Sequence, residues 1–439
     1  MKNCIGIRRE SKDLTEQRVP LTPTHVKELI EKDGIRVIVK PSQERIFKNI
    51  EYKKVGAEIS TDLSDCNIIF GVKEVPIPDI IPDKAYCIFS HTFKAQQYNM
   101  PMLSKMLELG NTLLDYELVR DETGRRIMYF GNYAGYAGMI DSLWTLGQRL
   151  LWEGIDTPFK TLKQANKYSS LEKAKIAIRN AGEKISEKGL PKSLVPFICG
   201  FTGYGHVSKS AQKIYDLLPV QTIGASQLMH FFNSGNYSNR CVYKVEFSKP
   251  DMFEPIPRGL QIQEFDLEEF RNYPEDYQSK FEQYIPYLHM IVNGIYWEPV
   301  YPRIITKDYL KLMYSRTEQP WLRVIGDITC DPYGSVEVTV KCTNSENPVY
   351  VYEPTTDRVI DGWEGNGPVI LAVDKLPTEI PVESSEEFGS ALLAFVPQLA
   401  AVNFNTELEN LRLPHEFRKA MIAHGGKILD RYDYLKEYL

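Results

Sequence analysis

Short apolar runs of β character alternate with amphipathic helical patterns through the first third of the chain, and nothing else in the sequence restricts the fold as tightly. CIGIR leads into TPTHVKELIEKDG, then come IRVIVKP, CNIIFGV, AYCIFS, the helical AQQYNMPMLSKMLELG, and NTLLDYELV. These strands are apolar at nearly every position rather than at every second one, which places them in a sheet buried on both faces. Parallel neighbours need crossover connections, so the alternation predicts a parallel α/β sheet flanked by helices.

A second such unit follows. AGMIDSLWTLGQRLLWEG and KYSSLEKAKIAIRNAGEKISEKG are long helical patterns, and LVPFICGFT is a strand that runs directly into GYGHVSKSAQKIYDLL. The expected architecture is two Rossmann-like domains with parallel sheets, the first discontinuous: 1–137 with 381–439, and 138–380 as the dinucleotide-binding part. The span 246–320, rich in Pro, Tyr and acidic residues, is expected to be an insertion. PVESSEEFGSALLAFVPQLAAV is expected to be a crossing helix back to the first domain.

A length of 439 residues and a hydrophobic fraction of 43% fit two cores of substantial size, and a net charge of −6 gives no basis for nucleic-acid or membrane binding. No apolar run reaches spanning length, and MKNCIGIRRESKD enters a strand pattern at once, so the cytoplasm is the expected compartment. Seven cysteines without CxxC spacing suggest no disulfide framework, and seven scattered histidines suggest no metal site.

Gly203, Gly205 and Ser208 form GxGxxS between strand and helix. There the glycines allow a tight turn and close approach of backbone to a pyrophosphate at the helix N-terminus, with His206 and Val207 at the junction. The acid expected about 20 residues on is missing. No Asp or Glu lies between Leu217 and Val245, and Ser226 or Arg240 could instead receive a 2′-phosphate. NADPH is the expected cofactor, with NADH possible.

Three strands end in groups suited to proton transfer: Lys73 and Glu74 after IIFGV, His91 after AYCIFS, and Glu117 after NTLLDY. Ligands of open parallel sheets bind outside these carboxyl ends. Arg18, Lys94 and Arg126 are cations in the same region, and guanidinium groups match the carboxylates of an oxo acid. Each of these side chains, taken singly, is equally consistent with a solvated surface charge.

The motifs RVPLTPTHV, GVKEVP, FSHTFKAQ, LLDYELVRDETGRRIMYFGNYAGYAG, IVNGIYWE, GDITCD and VDKLPTEIPVESSEEFG together resemble the lysine-ketoglutarate reductase half of the bifunctional lysine-degrading enzyme. More distantly the chain is similar to lysine-forming saccharopine dehydrogenase and to the alanine dehydrogenase/transhydrogenase superfamily. The resemblance implies two α/β domains flanking a cleft. It also implies reductive condensation of L-lysine with 2-oxoglutarate to saccharopine, in a free-standing reductase whose product passes to a separate saccharopine-oxidising enzyme. By matching motif, Lys73 and His91 would be the acid-base pair with Glu74 and Glu117 tuning them. Arg18, Lys94 and Arg126 would hold substrate, and Asp327 would lie near the nicotinamide. An alanine dehydrogenase-like enzyme using pyruvate and ammonia, and a catalytically silent homologue, are the competing expectations.

Overall fold

The computed structural model describes residues 3–12, 15–257, 263–317 and 320–439. The chain divides into two compact units, Met1–Phe130 with Pro381–Leu439, and Gly131–Ile380.

In the first unit six parallel strands are β1 (Cys4–Ile7), β2 (Arg36–Val39), β3 (Glu58–Ile59), β4 (Ile68–Phe70), β5 (Ala85–Ile88) and β6 (Thr112–Asp115). Their order is β3-β2-β1-β4-β5-β6. Every residue of β1, β4, β5 and β6 is buried, as continuous apolar strands require. Helix α1 (Pro23–Asp33) opens with Pro23 in its first turn, where no amide hydrogen is needed, and stops at Gly34, whose φ is 62°. The C-terminal part returns the helix Pro381–Leu393 and two antiparallel strands at the β6 edge, Met421–His424 and Lys427–Ile428. That helix docks through Ser385, whose Oγ accepts from Val19 N–H at 3.0 Å, and through Gly389, where a Cβ would stand 2.3 Å from His25 Nδ1.

The second unit is a sheet of eight strands. Its parallel core contains β7 (Ile198–Thr202), β8 (Val220–Thr222) and β9 (Val242–Phe247), and the strands Met290–Asn293, Val324–Asp327 and Val369–Leu371. One face packs against the long helix Gly131–Trp152 and the helices Leu171–Lys188 and His206–Tyr215. The span 246–320 is not a single insertion. It contains Met290–Asn293, a central strand paired with β7, between a small hairpin and the helix Lys307–Arg316. Its Pro, Tyr and acidic composition hides that strand because only four residues of it are in the sheet.

Chain order and spatial order differ here in one consequential way. The strand beside β7 is β9, and β8 lies outside it at the sheet edge.

Candidate active site

In the first unit the strand order reverses between β1 and β4, the crevice where open α/β sheets bind ligands. The chain leaving β4 is fixed there by a buried ion pair. Arg8 Nη1 donates to Glu10 Oε2 at 2.7 Å, and Glu10 accepts from the backbone N–H groups of Val72 and Lys73 at 2.8 and 3.0 Å. Arg8 Nη1 also reaches the Lys73 carbonyl at 3.3 Å. Gly71 is required beneath this arrangement, because a Cβ would lie 2.6 Å from Arg8 Cδ. Lys73 is thus held by its backbone, and its ammonium makes no hydrogen bond or ion pair among the described residues.

Glu74 and His91, 17 residues apart, meet across the ends of β4 and β5. Glu74 Oε1 lies 2.9 Å from His91 Nδ1 and accepts from Asn99 Nδ2 at 3.4 Å, while Lys12 Nζ stands 3.3 Å from Oε2. Burial pushes the Glu74 carboxyl up, but the His91 hydrogen bond, a backbone N–H and the nearby cations outweigh it and bring it down to about 2. An ionised carboxylate only accepts, so Nδ1 carries the ring hydrogen and Nε2 is left to exchange a proton. His91 adopts a φ of 52° to bring this about.

Asp115, at the end of β6, holds that conformation. Its Oδ2 accepts from the backbone N–H of Ser90 and of His91, both at 3.1 Å, and its Oδ1 from Glu117 N–H at 2.8 Å. Burial raises its carboxyl, and the Ser90 hydroxyl and the Glu117 amide oppose the rise. Asp115, Glu10 and Arg8 were not legible as site residues, since Arg8 and Glu10 fall in the charged run RRESKD after β1 and Asp115 lies inside the strand pattern NTLLDYELV. A carboxylate closing a fully apolar strand, as in LLDY, is the signal that marks Asp115.

Glu117 Oε1 gathers two of the expected cations, Lys94 Nζ at 2.9 Å and Arg126 Nη1 at 3.5 Å, while its buried Oε2 has no partner among the described residues. Arg126 lies over the Phe89 ring at 5.5 Å and donates to the Met128 carbonyl at 2.8 Å. Arg18 differs. It is buried, its Nε and Nη2 form a two-point pair with Glu16 at 2.8 and 2.6 Å, and it stacks on Phe130. Glu16 occupies the Nε–Nη2 edge of its fork.

In the second unit the glycine turn follows β7. Gly203 has a φ of 84° and a Cβ there would meet the Gly294 carbonyl at 3.1 Å, so the turn passes close to backbone as a cofactor cradle must. Gly203–Val207 line a cavity of about 310 Å³ together with Lys249, Phe270, Gly294–Trp297 and Tyr301. Asp327 is buried and saturated by Asn293, Thr329 and Thr339, and Asn293 also accepts from Thr202 Oγ1 at 2.6 Å. The ends of three parallel strands are tied by this network, so Asp327 shapes the rim and does not offer a free carboxylate.

Two expected phosphate ligands are displaced. Arg240 precedes β9 and so lies at the opposite edge of the sheet from the glycine turn, a strand length of roughly 20 Å away. Ser226 follows β8, which β9 separates from β7. The strand beside β7 is β9, and Glu246 near its end is exposed and accepts from Gln212 Nε2 at 2.8 Å. Counting along the chain reached the wrong strand.

Residues 6–137 match the family described as alanine dehydrogenase/PNT, N-terminal domain. Over 445 residues the chain is 38% identical to alpha-aminoadipic semialdehyde synthase of Arabidopsis thaliana, covering 98% of this chain and 41% of that one. It is a relative of that synthase. The mitochondrial alpha-aminoadipic semialdehyde synthase of Bos taurus is 34% identical over 449 residues, with 99% and 48% covered. The chain therefore spans less than half the length of these synthases. Saccharopine dehydrogenase (NAD(+), L-lysine-forming) of Emericella nidulans is 28% identical over 411 residues, with 90% of this chain and 92% of that one covered. Among solved structures, an L-alanine dehydrogenase superposes with a TM-score of 0.62 at 18% identity, covering 99% and 100% of the two chains. A transhydrogenase from Sinorhizobium meliloti gives 0.59 at 16%, covering 97% and 100%. At these identities both show the fold this synthase relative shares with them.

Proposed function

We propose that the chain reductively condenses L-lysine with 2-oxoglutarate to saccharopine, taking hydride from a nicotinamide cofactor, NADPH in preference to NADH. The observation that carries this reading is the Glu74–His91 contact at 2.9 Å beside Lys73, set at the strand-order reversal of a unit related to lysine-forming dehydrogenases.

The reaction needs an amine as free base, an acid for the departing hydroxyl, and a hold on carboxylates. His91 Nε2 takes the proton from the ε-ammonium of lysine, and the imidazolium is stabilised by ionised Glu74. The amine attacks the keto carbon, and the same proton or that of Lys73 goes to the oxygen as the carbinolamine loses water. Arg126 binds a 2-oxoglutarate carboxylate, and Glu117 and Glu74 provide negative charge around the iminium. Lys94, paired with Glu117, screens that charge on its exposed side.

The bound nicotinamide would supply the hydride that reduces the iminium carbon. The glycine turn and its adjoining cavity fit such a group, with Gly203, Gly205, His206 and Val207 at the pyrophosphate. A separate saccharopine-oxidising enzyme would take the product. The Bos taurus and Mus musculus relatives are named mitochondrial. No described helix is long and apolar enough to cross a membrane.

The test is cofactor oxidation followed by absorbance with lysine plus 2-oxoglutarate, each omitted in turn, against pyruvate plus ammonia. Turnover requiring both lysine and 2-oxoglutarate is expected. Turnover with pyruvate and ammonia alone would assign the alanine-type reaction, and cofactor binding without turnover would leave a silent homologue.

A further inference from the structure

The cavity beside the glycine turn holds a cation with no counter-ion among the described residues. Lys249 begins two residues after β9, and Gly203 N–H donates to the Phe247 carbonyl at 3.3 Å, so the end of β9 and the turn form one rim. The ammonium is half-buried, 4.8 Å from the Phe270 ring centroid and 5.8 Å from that of Tyr301, and has no acidic partner among the described residues. Burial lowers its pKa and the charge of Arg271 lowers it further. A desolvated ammonium beside a second cation is costly without an anion. The remaining walls are aromatic and apolar, among them Phe253, Tyr296 and Trp297, and present ring faces to a planar base.

Anion and planar base together describe a nucleotide whose ribose carries a phosphate. Glu246 does not oppose this, because its carboxylate is drawn by Gln212 toward the helix His206–Tyr215, on the other face of the strand from Val245 and Phe247. We propose that this cavity takes the adenosine end of NADPH and that Lys249 binds its 2′-phosphate, setting the preference over NADH. The inference rests on the nicotinamide-dependent reading above.

The experiment titrates the full chain with 2′,5′-ADP and with 5′-AMP by intrinsic tryptophan fluorescence, which Trp297 in the cavity wall reports. A charge-assisted contact predicts that 2′,5′-ADP binds roughly ten- to a hundredfold more tightly than 5′-AMP. Lys249→Met should bring the ratio close to one, and Lys249→Arg should keep most of it, with thermal melts confirming that both variants fold. Equal binding by the wild type, or a ratio unchanged in Lys249→Met, overturns the assignment to Lys249 while leaving the nicotinamide reading intact. Failure of the wild type to bind either nucleotide overturns both.

Discussion

Glu74 Oε1 stands 2.9 Å from Nδ1 of His91, and the two side chains arrive there from the ends of adjacent parallel strands. The contact fixes the charge of one partner and the tautomer of the other, which leaves a single ring nitrogen facing the crevice.

Replacing Glu74 by Gln keeps the shape and removes the charge. The expected loss in kcat is about a hundredfold, within the usual contribution of a general acid-base group, with the acidic limb of the pH–rate profile displaced. The stability consequence has a defined sign. The folded-state carboxyl is depressed to about 2, so its contribution is present above the ordinary carboxylate range and is lost as pH falls toward about 2. Acid unfolding of the wild type and the variant, compared by circular dichroism, should converge at the low end.

Asp115→Asn tests the positioning of His91. One carboxylate oxygen becomes an N–H₂ facing backbone donors, so a loss of about 1–3 kcal/mol in stability is expected from the unpaired buried groups. Kinetics separate this from a purely structural effect: kcat should fall at temperatures well below the melt, and the KM for cofactor should stay constant.

Arg126→Lys retains charge but loses the planar fork. A rise of about tenfold in KM for 2-oxoglutarate is expected, with a smaller change for lysine. Equal changes in both constants would remove Arg126 from carboxylate binding. Arg18→Lys should act through folding instead, because Arg18 is committed to Glu16.

A second carboxyl pair lies within the second unit. Asp141 and Glu379 are buried in the second unit within hydrogen-bonding reach of each other, and Asp141 Oδ1 accepts from Ala165 N–H at 2.7 Å. Burial raises both carboxyls, and the charge of Glu379 adds to the rise at Asp141. Raised folded values mean that their contribution is fully present below the unfolded carboxyl range and is lost as pH rises through the folded values. Asp141→Asn supplies a donor to Glu379, so its melting temperature should exceed that of the wild type by about 2–4 °C at neutral pH and lose that advantage in acid.

The placement of titratable groups at the strand ends was legible because it is local. GVKEVP, FSHTFK and LLDYE each place a titratable group directly after an apolar strand, and the parallel fold then gathers such ends at one edge. Ser226 was misplaced because its assignment assumed that the next strand in the chain is the next in the sheet, whereas β9 comes between β7 and β8, and Arg240 because it precedes β9 and so lies at the other end of the strands from the glycine turn.

By itself the sequence determined two parallel α/β sheets, a glycine turn at a strand-helix junction, and Lys73, Glu74, His91 and Glu117 at strand ends. Only the tertiary structure decided which of them touch: that Glu74 takes His91, that Asp115 carries the turn beneath it, that Glu16 pairs with Arg18, and that Lys249 borders the glycine turn. The physical reason is range. Strand and helix patterns follow from side-chain periodicity over a few residues, whereas strand order and the pairing of buried charges are selected by burial and by partners brought together from distant parts of the chain.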